Sequence, residues 1–263
     1  MLENLSTERK YQLYEGSVQN HEGDIDFINE QYERINGEKP LSLREDFGGT
    51  GQLSCGWVKQ SLEHQAWAVD LDPEPISYGK ERHLSELEET RRNQVHYVLG
   101  NVLESQDFKA DVTVAFNFSY FIFKKREELL NYFKKVKEGL NENGIFVIDL
   151  FGGTDSNQEL VEETEYDDYS YFWDCENFNP ITNECLYYIH FKDNGTKHER
   201  VFTYDWRMWS LPELREIMLE AGFSKSVAFW EGDDDDGGGD GDFYSTETAE
   251  NCESWVTYII GVR

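Results

Sequence analysis

The stretch LREDFGGTGQLSCGWVKQ, residues 43–60, carries an apolar lead into two acids, then a glycine-rich corner, then a run with helical spacing. A strand that ends in Phe47-Gly48-Gly49-Thr50-Gly51 and re-enters as a helix must bend sharply. Glycine supplies the backbone freedom for that bend and for close approach of a ligand. The N–H groups of such a corner, with those at the start of the next helix, favour a negatively charged group. Glycine corners are common, so this one takes its meaning from what surrounds it.

Outward from the corner the chain alternates. LSLREDF (41–47) reads as a short strand and GTGQLSCGWVKQSLEHQ (49–65) as a helix; AWAVDLD (66–72) is a strand and PEPISYGKERHLSELEETRR (73–92) a helix with prolines at its entry. VHYVLGNV (95–102) is a strand, and DVTVAFNFSYFIF (111–123) is the near-continuous apolar run of a strand buried on both faces. KREELLNYFKKVKEGLNENG (125–144) is a helix with Leu129, Phe133, Val136 and Leu140 on one face, stopped by Gly144, and IFVIDLF (145–151) is another buried strand. This is the pattern of βαβ units on a parallel sheet, an α/β fold.

Four segments follow. Residues 1–35 read as a helical N-terminal segment or lid, with Tyr11, Tyr14, Phe27 and Tyr32 as apolar anchors, and 36–151 as the Rossmann-like core. Residues 152–209 lack a long helix, are rich in aromatics, and contain a hairpin turning at Asn194-Gly195; they read as an antiparallel β insertion, a lid or an interface. Residues 210–263 resume the core with a helix opened by the capping box Ser210–Glu213 and closed by Gly222, then strands KSVAFWE and SWVTYIIGV. The acidic stretch between those strands, GDDDDGGGDGDF (232–243), lacks the ligand spacing of an EF-hand and reads as a mobile, solvated loop.

Candidate site residues gather at the carboxyl ends of the strands, where open α/β sheets bind ligands. Asp70 closes the second strand 19 residues after Gly51, the distance at which an acid meets ribose hydroxyls. Asn101 and Val102 end the third strand, where an amide can meet an adenine amine, and Asn117, Phe118, Ser119 and Tyr120 end the fourth. The glycine spacing is not GxGxxG, which disfavours a dinucleotide-dependent oxidoreductase.

With these residues in place, the sequence resembles class I S-adenosylmethionine-dependent methyltransferases over about residues 40–150. EDFGGTG is similar to their first motif, VDLD to the ribose motif, GNV to the adenine motif and FNFSY to the motif beside the transferred methyl. The resemblance implies a seven-stranded, mostly parallel sheet flanked by helices, with a final antiparallel hairpin. It implies S-adenosyl-L-methionine held by Tyr14, Arg44, Glu45, Phe47, Gly48, Gly49, Gly51, Asp70, Leu71, Asn101, Val102 and Asn117. It also implies methyl transfer to a small-molecule N or O nucleophile, with Asn117 and Tyr120 orienting it and no metal. Phe47 stands where the family has its first glycine, so the turn differs locally. Either Glu45 or Asp46 contacts the cofactor, Glu45 being favoured, and Arg44 either pairs with these acids or meets the cofactor's carboxylate. Tyr166, Tyr169, Trp173, Tyr204 and Trp206 are candidates for the substrate side. A non-catalytic S-adenosylmethionine-binding protein on the same fold is the alternative.

Charge narrows the partners. Lys plus Arg total 24 against 53 Asp plus Glu, a formal charge of -29. Such a surface repels a polyanion, and NFSY lacks both prolines of the Asn-Pro-Pro-Tyr motif of base-methylating enzymes, so no nucleic-acid partner is expected. No apolar run reaches membrane-spanning length and the N-terminus lacks a secretory core, so a cytoplasmic protein without membrane contact is expected. Cys55, Cys175, Cys185 and Cys252 form no CxxC pair and read as reduced thiols. The expected partner is a small-molecule substrate, with a homodimer through the insertion as an option.

Overall fold

A computed structural model describes residues 5–104, 106–233 and 238–263. Five parallel strands make the centre of one sheet: β1 (Ser42–Asp46), β2 (Gln65–Asp70), β3 (Val95–Leu99), β4 (Ala110–Ala115) and β5 (Leu140–Gly152). Their spatial order is β3-β2-β1-β4-β5, so the chain reverses direction across the sheet between β1 and β4. Beyond β5 lie β12 (Trp255–Val262), β10 (Lys225–Asp233) and β11 (Gly239–Ser245), each antiparallel to its neighbour. A second antiparallel sheet holds β6 (Val161–Glu165), β7 (Tyr169–Asn179), β8 (Glu184–Asp193) and β9 (Thr196–Arg207) in sequential order.

The apolar runs of β4 and β5 are explained by burial on both faces. Ile145 and Val147 pack with Ile28 and Trp57 on one side, while Phe146, Ile148 and Leu150 pack with Phe133 and Leu214 on the other. The helices supply the cover: α1 (Thr7–Val18), α2 (His21–Asn36), α3 (Gln52–Gln60), α4 (Pro73–Gly79), α5 (Glu89–Arg92), α6 (Arg126–Gly139) and α7 (Leu211–Glu220). On α6, Leu129, Tyr132, Phe133 and Val136 form the buried face at helical spacing. The α7 capping box forms as its sequence signature requires, and Gly222 leaves the helix at φ +100°. Asn194 and Gly195 both take positive φ at the β8–β9 turn, with Asp193 paired to Thr196.

Four expectations need correction. Among the described residues the main sheet has eight strands rather than seven: β11 grows out of the acidic stretch and pairs with the edge of β10. It is anchored by Phe243, whose ring meets Phe27 and Tyr258 at 5.8 and 4.6 Å, so part of the stretch read as loop is strand; residues 234–237 lie outside the described ones. Helix α6 ends at Gly139, and Leu140 opens β5 by pairing with Ala110. The helix read over 73–92 is α4, a π-helical turn at Lys80–Leu84, and the single turn α5. Finally, the run 111–123 is not one strand: β4 stops at Ala115, Asn117 and Phe118 take φ +55° and +57°, and a 3-10 turn follows at Ser119–Ile122.

Helix α1 bridges the two sheets. Arg9 pairs with Asp168 and Asp193 of the insertion at 3.0 and 2.7 Å, while Lys10 and the Tyr11 hydroxyl reach Glu74 on α4 at 2.7 and 3.0 Å. Helix α4 in turn presses on the glycine corner: a Cβ at Gly79 would lie 1.8 Å from the carbonyl oxygen of Thr50. Backbone cannot yield there as a flexible side chain could. Gly79→Ala is therefore expected to cost about 3 kcal/mol, the upper range for overpacking, read as a lower urea midpoint at unchanged m-value.

Candidate functional site

Each candidate residue owes its position to a strand end. Alternation along β1 sends Glu45 and Asp46 to opposite faces. Glu45 turns toward α3, where its Oε2 accepts the Ser54 N–H at 3.1 Å and the Ser54 hydroxyl at 2.6 Å. Asp46 turns toward α6: Oδ1 accepts from Arg44 Nε at 2.6 Å and Oδ2 from the Tyr132 hydroxyl at 2.9 Å. The Arg44 guanidinium also donates to the Val102 carbonyl at 3.0 Å and is buried. Arg44 is thus committed to a core ion pair and does not line the cleft, correcting its assignment to the cofactor.

The corner begins with Phe47 in the left-handed region, φ +56°. That conformation costs a non-glycine residue about 1–2 kcal/mol. The ring compensates by packing on Tyr132 and Phe123 at 5.7 and 6.1 Å. Gly49 and Gly51 follow at φ +52° and +65°, and a Cβ on Gly51 would collide with the Tyr97 ring at 2.7 Å. Tyr97 donates its hydroxyl to the Thr50 carbonyl at 2.8 Å and so holds the corner from behind. Asp70, at the end of β2, accepts the Gly49 N–H at 2.8 Å on Oδ2 and the Asp72 N–H at 2.8 Å on Oδ1. Desolvation by burial raises its pKa, opposed by those backbone donors.

At the end of β4 a second carboxylate does the same work. Asp149, buried on β5, accepts the N–H of Asn117 at 2.7 Å and of Phe118 at 3.0 Å. Two consecutive left-handed residues are pinned by one side chain, leaving the Asn117 side chain at the surface of the crevice. Burial pushes the carboxyls of both Glu45 and Asp149 up to about 7. Asp149 was missed in the sequence, although a lone acid inside the apolar run IFVIDLF was its signal.

These residues enclose two joined spaces. The first is a cleft of about 470 Å³ lined by Glu45, Phe47, Gly48, Gly49, Asp70 and Asn117, with Tyr11 and Tyr14 of α1 over it. The second, about 280 Å³, lies between the core and the second sheet. Tyr14, Asn117, Tyr204 and Trp206 line both and form the wall between them.

Several sequence assignments fall outside the cleft. Leu71 is 65% exposed and is not in its wall. Asn101 uses Oδ1 to accept the Leu103 N–H at 3.0 Å, an Asx turn, and Val102 is buried in the core. Tyr120, expected to orient the acceptor, is fully buried and donates its hydroxyl to the Asp149 carbonyl at 2.7 Å. The 3-10 turn rotates it inward, so it is a core aromatic that braces Asp149. Of the insertion's aromatics, Trp173, Tyr204 and Trp206 line the second space, whereas Tyr166 and Tyr169 stack on each other at 4.6 Å. Lys10, Gln19 and Phe202 enter the cleft wall with no signal in the sequence.

No family model matches the chain, and no curated protein does. Solved structures do. An S-adenosylmethionine-dependent methyltransferase from Clostridium acetobutylicum ATCC 824 superposes with a TM-score of 0.70 at 18% identity, over 96% of this chain and 97% of that one. DesVI from Streptomyces venezuelae gives 0.69 at 16% identity, with 99% of each chain covered. CalS10, an amino pentose methyltransferase from Micromonospora echinaspora solved with S-adenosylmethionine bound, gives 0.66 at 12% identity, again with 99% of each chain covered. The fold is that of the S-adenosylmethionine-dependent methyltransferases. Near-complete coverage brings the insertion and α1 within the likeness to this methyltransferase fold, so neither is an appendage peculiar to this chain.

The raised carboxyls give a pH dependence. A carboxyl whose folded pKa lies above its unfolded value holds a proton that the unfolded chain has released. Stability is then full below the ordinary carboxylate range and falls as pH rises toward about 7. Glu45→Gln keeps an acceptor for Ser54 and cannot ionise. It is expected to gain about 5 °C in Tm on the parent between pH 4.5 and pH 8, with the gap closing at the acid end.

Proposed function

We propose that the protein is an S-adenosylmethionine-dependent methyltransferase acting on a small-molecule nitrogen or oxygen nucleophile. One observation carries this reading: the cleft at the ends of β1, β2 and β4 and the aromatic space behind it share a wall, and Asn117 stands in that wall. An enzyme that transfers a group between two small molecules needs two such compartments and a residue at their junction.

The residues present fit the cosubstrate. Asp70 has acceptor capacity beyond its two backbone donors and suits ribose hydroxyls. Glu45 leaves Oε1 without a protein partner among the described residues, on the cleft side. Two buried oxygens of cleft-lining residues, Thr50 Oγ1 and Gln19 Oε1, also lack partners. Bound there, S-adenosylmethionine would supply an electrophilic methyl on a sulfonium, open to in-line attack by a lone pair, with the carbon–sulfur electron pair leaving on the neutral thioether. The protein's part is positional: the Asp149 clamp fixes Asn117 where its amide can accept from, or donate to, the incoming nucleophile. Tyr14 and Tyr204, whose hydroxyls interact, close the junction and exclude water from it.

Calorimetry with S-adenosylmethionine and S-adenosylhomocysteine tests the reading. Asp70→Ala should weaken uptake of either about 10- to 100-fold, since it removes a carboxylate acceptor and frees the corner, with Asp70→Asn intermediate. Absence of uptake by the parent, or undiminished uptake by Asp70→Ala, would falsify it.

A further inference from the structure

The second space has a chemistry of its own. Its walls are the aromatic face of the insertion: Trp173 stacks on Tyr187 with centroids 4.7 Å apart, and Tyr204 meets Trp206 at 4.3 Å. Glu162 sits directly across from Trp173 in the β6–β7 register, which puts both side chains on one face of the sheet, and Asp155 lines the space as well. Burial raises the pKa of Tyr171 and Tyr187, and Glu162 is a minor electrostatic contributor at both rings. Among the described residues, no lysine, arginine or histidine lines the space.

Two carboxylates and several π faces with no basic group select for positive charge and against phosphate or carboxylate. Three of the tyrosine hydroxyls in its walls are already engaged: Tyr14 and Tyr204 interact with each other, and Tyr187 donates to the Ser156 carbonyl. Hydroxyls of a ligand laid against the faces of Trp173 and Trp206 would find no acceptor there, which is costly. At about 280 Å³ the space sits at the small end for ligand pockets and suits one ring system on a short tether.

We propose that the acceptor is a compact aromatic or apolar amine that binds as its ammonium form among Trp173, Tyr187 and Trp206, with Glu162 and Asp155 supplying the counter-charge; one ammonium proton passes to a carboxylate of this pair and on to solvent, which frees the nitrogen lone pair that then takes the methyl. This rests on the methyltransferase reading only for the amine's role as acceptor; the binding chemistry stands on the walls alone.

The test is a calorimetric panel on the full chain, with and without saturating S-adenosylhomocysteine: phenethylamine, 2-phenylethanol, phenylacetate and glucosamine. Phenethylamine should bind about 10-fold or more tighter than phenylacetate or glucosamine. Trp173→Leu should weaken it about 10-fold, and Glu162→Gln, an exposed carboxylate, about 2- to 5-fold while leaving 2-phenylethanol unchanged. Uptake of S-adenosylhomocysteine at parental affinity certifies that each variant is folded. Phenylacetate or glucosamine binding as well as the amine overturns the inference. So does uptake of S-adenosylhomocysteine with no uptake of the amine, which leaves the methyltransferase reading intact. Amine uptake by a chain that takes up no adenosyl ligand supports the inference and overturns that reading instead.

Discussion

Two loops leave the parallel sheet in left-handed backbone, and each is pinned by a carboxylate at the end of the neighbouring strand. Asp70 of β2 holds Gly49 after β1; Asp149 of β5 holds Asn117 and Phe118 after β4. The reversal of strand order places exactly these two loops side by side, since β1 and β4 are adjacent although far apart in sequence. A crevice opens between them because one crossover leaves toward each side. Both anchors are substantially desolvated, and both loops offer them backbone N–H donors, so acid and loop satisfy each other. Remove either carboxylate and the loop loses a side-chain anchor while the donors it held are left to find water.

The same crevice is closed from outside by α1, whose anchors lie on two different bodies of structure. Arg9 grips the insertion and Lys10 grips α4, so the helix is tied to both layers between which the two spaces lie. Tyr14, on that helix, stands in the wall common to both spaces. The ion pairs are partly exposed and individually worth little, about 1 kcal/mol or less. Burial of Tyr11 and Leu13 contributes more, which is why the helix is docked by its apolar face and only registered by its charges.

The sheet was legible because parallel strands buried on both faces write themselves as apolar runs, and the glycine corner and Asp70 because their spacing is set by one βαβ unit. Legibility failed where a tertiary partner decided the outcome. Nothing local in FNFSYFIF distinguishes a continuing strand from one broken by Asn117 and Phe118; the decision belongs to Asp149, 32 residues away. Tyr120 looked like a site residue from its place in a motif, but the rotation of a single 3-10 turn separates it from Asn117 and buries it. Arg44 could have served ligand or core, and proximity to Asp46 along one strand face settled it for the core. Strand β11 depends on Phe243 finding Phe27, on a helix more than 200 residues earlier, a contact that composition conceals behind its acidic neighbours.

The overall charge of -29 invites the thought that a global field draws cations to the site. Screening argues otherwise. At physiological salt the Debye length is about 8 Å, so exposed acids scattered over the surface act on their own surroundings and little beyond. What reaches a ligand in the crevice is the local set: Asp70 in the cleft, with Lys10 in the same wall to oppose it, and Glu162 and Asp155 in the space behind, where no basic residue among the described ones cancels them. Low-dielectric aromatic walls strengthen those few charges where solvent is thin. Selection for a cation is therefore a property of a handful of side chains, and it would survive neutralisation of most of the surface acids.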